Sequence, residues 1–175
     1  MCFCEGVELE IVGPPITALI CHCDDCQEGS RRIEALPNGH PVREQNGGTA
    51  YAAYRKDRVR CSKGASLLVA HKIREGSATK RLVATCCATA MLLGFEDRKH
   101  WVDVYWTRIR RDPPQIEMHV CTKFRREGVD LPRDIPSYSG YPARFLAKLV
   151  VARIAMIFDT RMATNPAADM RSTSR

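Results

Sequence analysis

The sequence predicts a mainly β protein, an antiparallel sheet domain with a short helix near its start and a longer helix near its end. Between residues 49 and 110, short runs rich in β-branched and aromatic residues recur, separated by turns such as Lys56-Asp57, Lys63-Gly64 and Glu75-Gly76. That is the rhythm of an antiparallel meander. Beyond residue 140 the apolar spacing changes to three and four, the period of a helix. Nine cysteines in 175 residues, most of them in pairs and triplets, add that the sheet is assembled around sulfur chemistry.

In chain order, residues 7–12 alternate Val7, Leu9 and Ile11 with Glu8 and Glu10, a half-buried strand closed by Gly13-Pro14-Pro15. Residues 16–20 form a second, more apolar strand that delivers Cys21 to its end. Asp25 and Glu28 have capping-box spacing and Ile33 and Leu36 helical separation before Pro37, which predicts a helix over residues 25–36 with Asp24 and Asp25 as caps. The start of that helix would favour the thiolate of Cys26. Residues 37–48, with Asn38-Gly39 and Asn46-Gly47-Gly48, form a turn-rich loop long enough to flank a site.

Strands are predicted at 49–54, 58–61, 66–72, 80–85, 89–95, 101–110 and 116–121. Trp101, Tyr105 and Trp106 fit a core strand rather than a stacking platform. A helix over residues 141–162 carries Phe145, Leu146, Leu149, Val150, Ile154, Ile157 and Phe158, while Arg144, Lys148 and Arg153 interrupt it and argue against a transmembrane span. The domain organisation expected is a sheet domain over residues 1–135, a helix within 136–162 packed on or beside it, and a flexible tail over 163–175.

Composition narrows the class. A hydrophobic fraction of 45% with 27% charged residues is that of a soluble globular protein. The start of the sequence lacks the basic leader and apolar stretch of a secretory signal, so the thiols are expected reduced and the location cytoplasmic. The net charge of +7 is scattered among apolar residues without an aromatic stacking motif, which favours a solvated face over a nucleic-acid surface. Such a field would also attract a small anionic thiol.

The cysteines supply the chemistry. Cys21, Cys23 and Cys26 fall within six residues, and the spacings Cys-x-Cys and Cys-x-x-Cys turn three sulfurs toward one point, as a zinc ion requires. Three ligands are one short of a closed structural site, so either a distant residue supplies the fourth or the position is open for catalysis. An extended backbone would send His22 away from that point. Cys2 and Cys4 with the later pair Cys86 and Cys87 have the spacing to clamp distant strands around a second metal. Cys61 and Cys121 read as solitary buried residues.

On these motifs the sequence resembles the glutathione-dependent formaldehyde-activating enzyme family, which includes centromere protein V and has the Mss4-like β fold. The counterparts are Cys2-Phe3-Cys4 with Gly6 displaced by one, the complete Cys21-His22-Cys23-Asp24-Asp25-Cys26, and Ala84-Thr85-Cys86-Cys87-Ala88-Thr89. In the last, Ala84 stands where the family's first cysteine falls and Cys86 is the neighbouring substitute. With Gly47-Gly48-Thr49, these phrases look closer to an uncharacterised branch than to the enzymes proper, and the resemblance spans about residues 2–110.

The resemblance implies a structural zinc on Cys2, Cys4 and one or both of Cys86 and Cys87. It also implies a second, catalytic zinc on Cys21, Cys23 and Cys26 that takes the thiol of glutathione. The expected activity is that of a carbon–sulfur lyase forming or cleaving S-hydroxymethyl adducts of a thiol with formaldehyde. Arg31, Arg32 and Lys56 are candidates for the glutathione carboxylates, against a plain surface role. The alternative is a zinc-stabilised module that binds protein or nucleic acid without catalysis. Methionine sulfoxide reduction through Cys61 or Cys121 ranks last, since neither has a resolving partner nearby in sequence.

Overall fold

The computed structural model describes residues 1–96 and 99–159. In order they form β1 (Glu8–Ile11), β2 (Thr17–Cys21), α1 (Asp24–Glu34), β3 (Thr49–Arg55), β4 (Val59–Lys63), β5 (Leu68–His71), β6 (Thr79–Ala84), β7 (Thr89–Phe95), β8 (Trp101–Tyr105), β9 (Met118–Val120) and α2 (Ala143–Phe158). The protein is mainly β, as its sequence predicts, with the one short helix after the three-cysteine motif and the other near the C-terminus.

Seven strands make one sheet in the order β5-β6-β7-β8-β3-β2-β9. The hairpins β5-β6, β6-β7 and β7-β8 are the expected meander. β4 departs from it and pairs with β1 in a separate two-stranded sheet, with Leu9 opposite Cys61 and Ile11 opposite Val59. The physical reason is burial: β4 reads Val-Arg-Cys-Ser-Lys, with only Val59 buried, and cannot occupy the centre of a sheet covered on both faces. β3, buried along its whole length, takes the central place between β8 and β2. β9 adds to β2 in parallel, placing Val120 beside Cys21.

Alternation along the strands sorts the core into two apolar clusters. Ala18, Ala52, Tyr54, Leu82, Leu92, Val102 and Val104 join Cys2, Val7 and Val59. Leu19, Cys21, Tyr51, Val83, Leu93, Tyr105 and Met118 join Cys26 and Ile33 from α1 and Phe145 and Leu149 from α2. The sheet is therefore packed by the small β1-β4 sheet and by the two helices.

Asp159, just past α2, accepts from Arg55 Nη1 at 3.4 Å and Arg58 Nη2 at 3.2 Å, and His100 Nε2 lies 2.8 Å from the Leu149 carbonyl. Leu146, Val150, Ile154, Ile157 and Phe158 line an exposed apolar face of α2. Its expected last residues, 160–162, and the expected tail over 163–175 lie outside the described residues. No helix of the described residues is long and apolar enough to cross a membrane.

Candidate metal centres

Cys2, Cys4, Cys86 and Cys87 come together with all four sulfurs within 4.8 Å of one another. Two tight turns put them there. Glu5 adopts a left-handed φ of 61°, folding the Cys2-to-Val7 loop so that the Val7 N–H donates to Cys2 Sγ at 3.2 Å. The β6-β7 hairpin turns through Ala88 at φ 48° and presents Cys86 and Cys87 at its tip. Gly6 permits the approach, because a Cβ there would stand 3.2 Å from Cys86 Sγ and 3.5 Å from Cys4 Sγ.

The sulfur spacing suits a metal. A tetrahedral ion with metal–sulfur bonds of about 2.3 Å requires sulfur–sulfur edges of about 3.8 Å. The edges here are 3.7 Å for Cys2–Cys4, 3.8 Å for Cys2–Cys86 and 3.8 Å for Cys86–Cys87. Burial pushes the Cys87 thiol up, but hydrogen bonds from Thr89 and Cys4 outweigh it and bring its pKa down to about 6, while burial and sharing with Cys4 and Cys2 lift Cys86 to about 12.

Cys21, Cys23 and Cys26 form the second cluster, their sulfurs also within 4.8 Å of one another. Cys21 ends β2, Cys23 occupies the N-cap of α1 with extended backbone (φ −64°, ψ 154°), and Cys26 lies in the first turn. Among the described residues no fourth His, Cys, Asp or Glu joins this set within that distance. Cys21 and Cys26 are buried and Cys23 is half-buried, so the cluster is reached past Cys23.

Two sequence expectations need correction at this helix start. Neither Asp24 nor Asp25 caps it: Cys23 is the N-cap and makes no side-chain capping bond, and the aspartates lie in the first turn. The favoured thiolate is Cys23 rather than Cys26. Hydrogen bonds from Cys21 and Cys26 bring Cys23 down to about 3, whereas Cys26, drawn down by Cys21 but pushed up by Cys23 and by burial, ends high.

His22 points away from the sulfurs, as the extended backbone requires. It is fully buried, with Nε2 3.0 Å from His119 Nδ1. Burial, then the neighbouring His119, lowers it to about 4 and keeps it neutral. Gln27 Nε2 ties α1 to the His22 carbonyl at 2.6 Å and to the Phe124 carbonyl at 2.8 Å.

Two residues near this cluster escaped sequence reasoning. Cys121 is buried as expected but not solitary: parallel pairing of β2 and β9 brings its thiol into hydrogen-bonding contact with Cys21, at a left-handed φ of 57°. Its partner is a hundred residues away in sequence, so only the strand pairing reveals it. Arg81 on β6 lies against α1, its Nη2 donating to the Asp25 carbonyl. Cys61 stays apart, donating to the Lys63 carbonyl at 3.1 Å. Of the carboxylate-binding candidates, Arg31 and Arg32 both pair with Glu28, at 2.8 and 2.7 Å.

The comparisons bear on the same residues. The family model for the glutathione-dependent formaldehyde-activating enzyme matches residues 1–36, the segment that holds Cys2, Cys4, Cys21, Cys23 and Cys26. No curated protein matches the chain. Among solved structures, one of a Rhodobacter sphaeroides protein is similar at 19% identity and a TM-score of 0.44, over 79% of this chain and 96% of that one. The likeness to the glutathione-dependent formaldehyde-activating enzyme family thus lies in the first 36 residues of the chain.

Proposed function

We propose that the protein is a zinc-dependent carbon–sulfur lyase acting on S-hydroxymethyl adducts of glutathione or a similar thiol in the cytoplasm. The domain of residues 1–135 would carry both metal sites. The observation that supports this reading most is the second cluster, three sulfurs within 4.8 Å of one another, with no fourth His, Cys, Asp or Glu that close to all three among the described residues. Cys21, Cys23 and Cys26 would hold the catalytic ion, and Cys2, Cys4, Cys86 and Cys87 a structural one.

When bound, the ion at the three-cysteine site supplies a Lewis acid that lowers the pKa of an incoming thiol. The chain's residues do the remaining work. Cys21 and Cys26 anchor the site from the core, and the half-exposed Cys23 leaves its outer side reachable. In the forward direction the thiol sulfur bonds to the carbonyl carbon of formaldehyde, the carbon–oxygen π bond breaks, and the thiol proton ends on the new hydroxyl. Cleavage is the reverse.

The test is adduct formation from glutathione and formaldehyde, followed by NMR with zinc-loaded protein. Wild type should exceed the uncatalysed rate, and Cys23→Ser should lose the excess while keeping one zinc. A wild-type rate no faster than buffer, with two zincs bound, would end the catalytic reading. The exposed apolar face of α2 favours a second reading, a zinc-stabilised binding module, which that outcome would support.

A further inference from the structure

Arg81 is the least expected residue in the core. Its side chain is 1% exposed, and none of the ion pairs among the described residues includes it. Nη2 donates to the Asp25 carbonyl in the first turn of α1, while Nε and Nη1 complete no hydrogen bond of normal length. The guanidinium presses on the helix backbone so closely that a Cβ at Gly29 would stand 2.0 Å from Nε. A guanidinium cannot shed its proton to relieve burial, as a lysine can. A buried charge left without a counter-charge costs several kcal/mol, so this position implies an anion beside it.

The groups that face Arg81 are Tyr51, Tyr105, Cys26 and Asp25. Tyr51 and Tyr105 are each 2% exposed with ring centroids 4.9 Å apart, and their buried hydroxyls, like Arg81 Nε and Nη1, complete no hydrogen bond of normal length. Burial holds both phenols protonated, Tyr51 well above its ordinary value and Tyr105 at about 12. They are therefore dipoles, not counter-ions. Asp25 offers its carbonyl, and its carboxylate acts on Arg81 only at a distance, forming no ion pair with it among the described residues. The other source of negative charge, and the buried one, is the cysteine cluster, with Cys23 and Cys26 both within the electrostatic reach of Arg81.

We infer that Arg81 is the resident counter-cation of the three-cysteine site, holding the negative charge its sulfurs carry as metal ligands. This rests on the reading of Cys21, Cys23 and Cys26 as ligands. Three thiolates on a divalent ion leave one net negative charge in the core, and one guanidinium cancels it. Tyr51 and Tyr105 are buried beside the guanidinium and leave it no carboxylate on that side. Arg81 is a positioning residue: it touches neither metal nor substrate, and acts by making an anionic cluster affordable in a low-dielectric place.

The test is chelator competition for the metal of the three-cysteine site in the full chain, with zinc and then cobalt as probe. At a spacing of several ångströms and an intermediate dielectric, removing the charge should weaken binding at that site about 10- to 100-fold. Arg81→Met and Arg81→Gln should show that loss, Arg81→Lys should stay within about 3-fold of wild type, and the metal on Cys2, Cys4, Cys86 and Cys87 should be unchanged in all three. Wild-type affinity in a folded Arg81→Met would overturn the inference. If neither neutral variant folds, Arg81→Lys decides: retention supports charge compensation, and a loss of about 100-fold refutes it. A wild type that binds one metal, unaffected by Cys23→Ser, would instead remove the ligand reading itself.

Discussion

Asp103 shows how a single side chain sets a pH dependence. Burial pushes its carboxyl up to about 7, with Lys99 pulling the other way, against about 3.9 in an unfolded chain. Between those values the folded state keeps a proton that the unfolded state has released, so stability falls as pH rises from about 4 to 7 and is level above. Asp103→Asn should therefore match wild type at pH 4 and exceed it at pH 8 by about 1–2 kcal/mol, less than the full shift implies because the residue as a whole is only half-buried and solvent screens it. Urea titrations at the two pH values check this, and an equal gain at both would contradict it. Gly64 works at the same scale: its φ is +73°, and a Cβ would meet the Gly6 carbonyl oxygen at 2.1 Å. Gly64→Ala should cost about 1–2 kcal/mol from the left-handed backbone alone and, by shifting the Cys2-to-Val7 loop, weaken metal binding at Cys2 and Cys4, read by chelator competition.

At the scale of elements, α2 has two apolar faces with opposite fates. Phe145, Leu149 and Ala152 are buried, whereas Leu146, Val150, Ile154, Ile157 and Phe158 remain exposed. Leu149→Ala should cost about 2–4 kcal/mol because it opens a cavity in the cluster that holds Cys21 and Cys26. Ile154→Ala should change stability by less than about 0.5 kcal/mol. Thermal melts distinguish the two, and equal effects would mean that the outer face is packed in solution. The existence of α1 and of nearly every strand was legible in spacing alone, since period and turn residues are local properties. The fate of β4 was not: its sequence reads as a strand in either sheet, and its partner was chosen by how little of it is apolar.

Over the whole molecule, the two cysteine clusters sit among different apolar clusters and join different elements. The first ties the N-terminal loop to the β6-β7 hairpin, some eighty residues apart, so its metal should carry folding free energy. The second is local to the junction of β2 and α1, so its loss should be tolerated. Cys87→Ser should lower the melting temperature steeply, and Cys23→Ser should remove one metal with a small change in melting. The reverse order, read by calorimetry with metal analysis, would exchange the structural and catalytic assignments.

Sequence by itself determined that the protein is mainly β, that helices follow the three-cysteine motif and close the described chain, and that seven of the nine cysteines gather in groups. These follow from local periodicity and spacing, which need no partner to be read. Tertiary structure alone decided that both Cys86 and Cys87 reach Cys2 and Cys4, that Cys121 meets Cys21, and that Arg81 is buried beside the sulfurs. Each depends on which distant strand lies next to which, and that choice minimises exposed apolar area over the whole sheet rather than along any one segment.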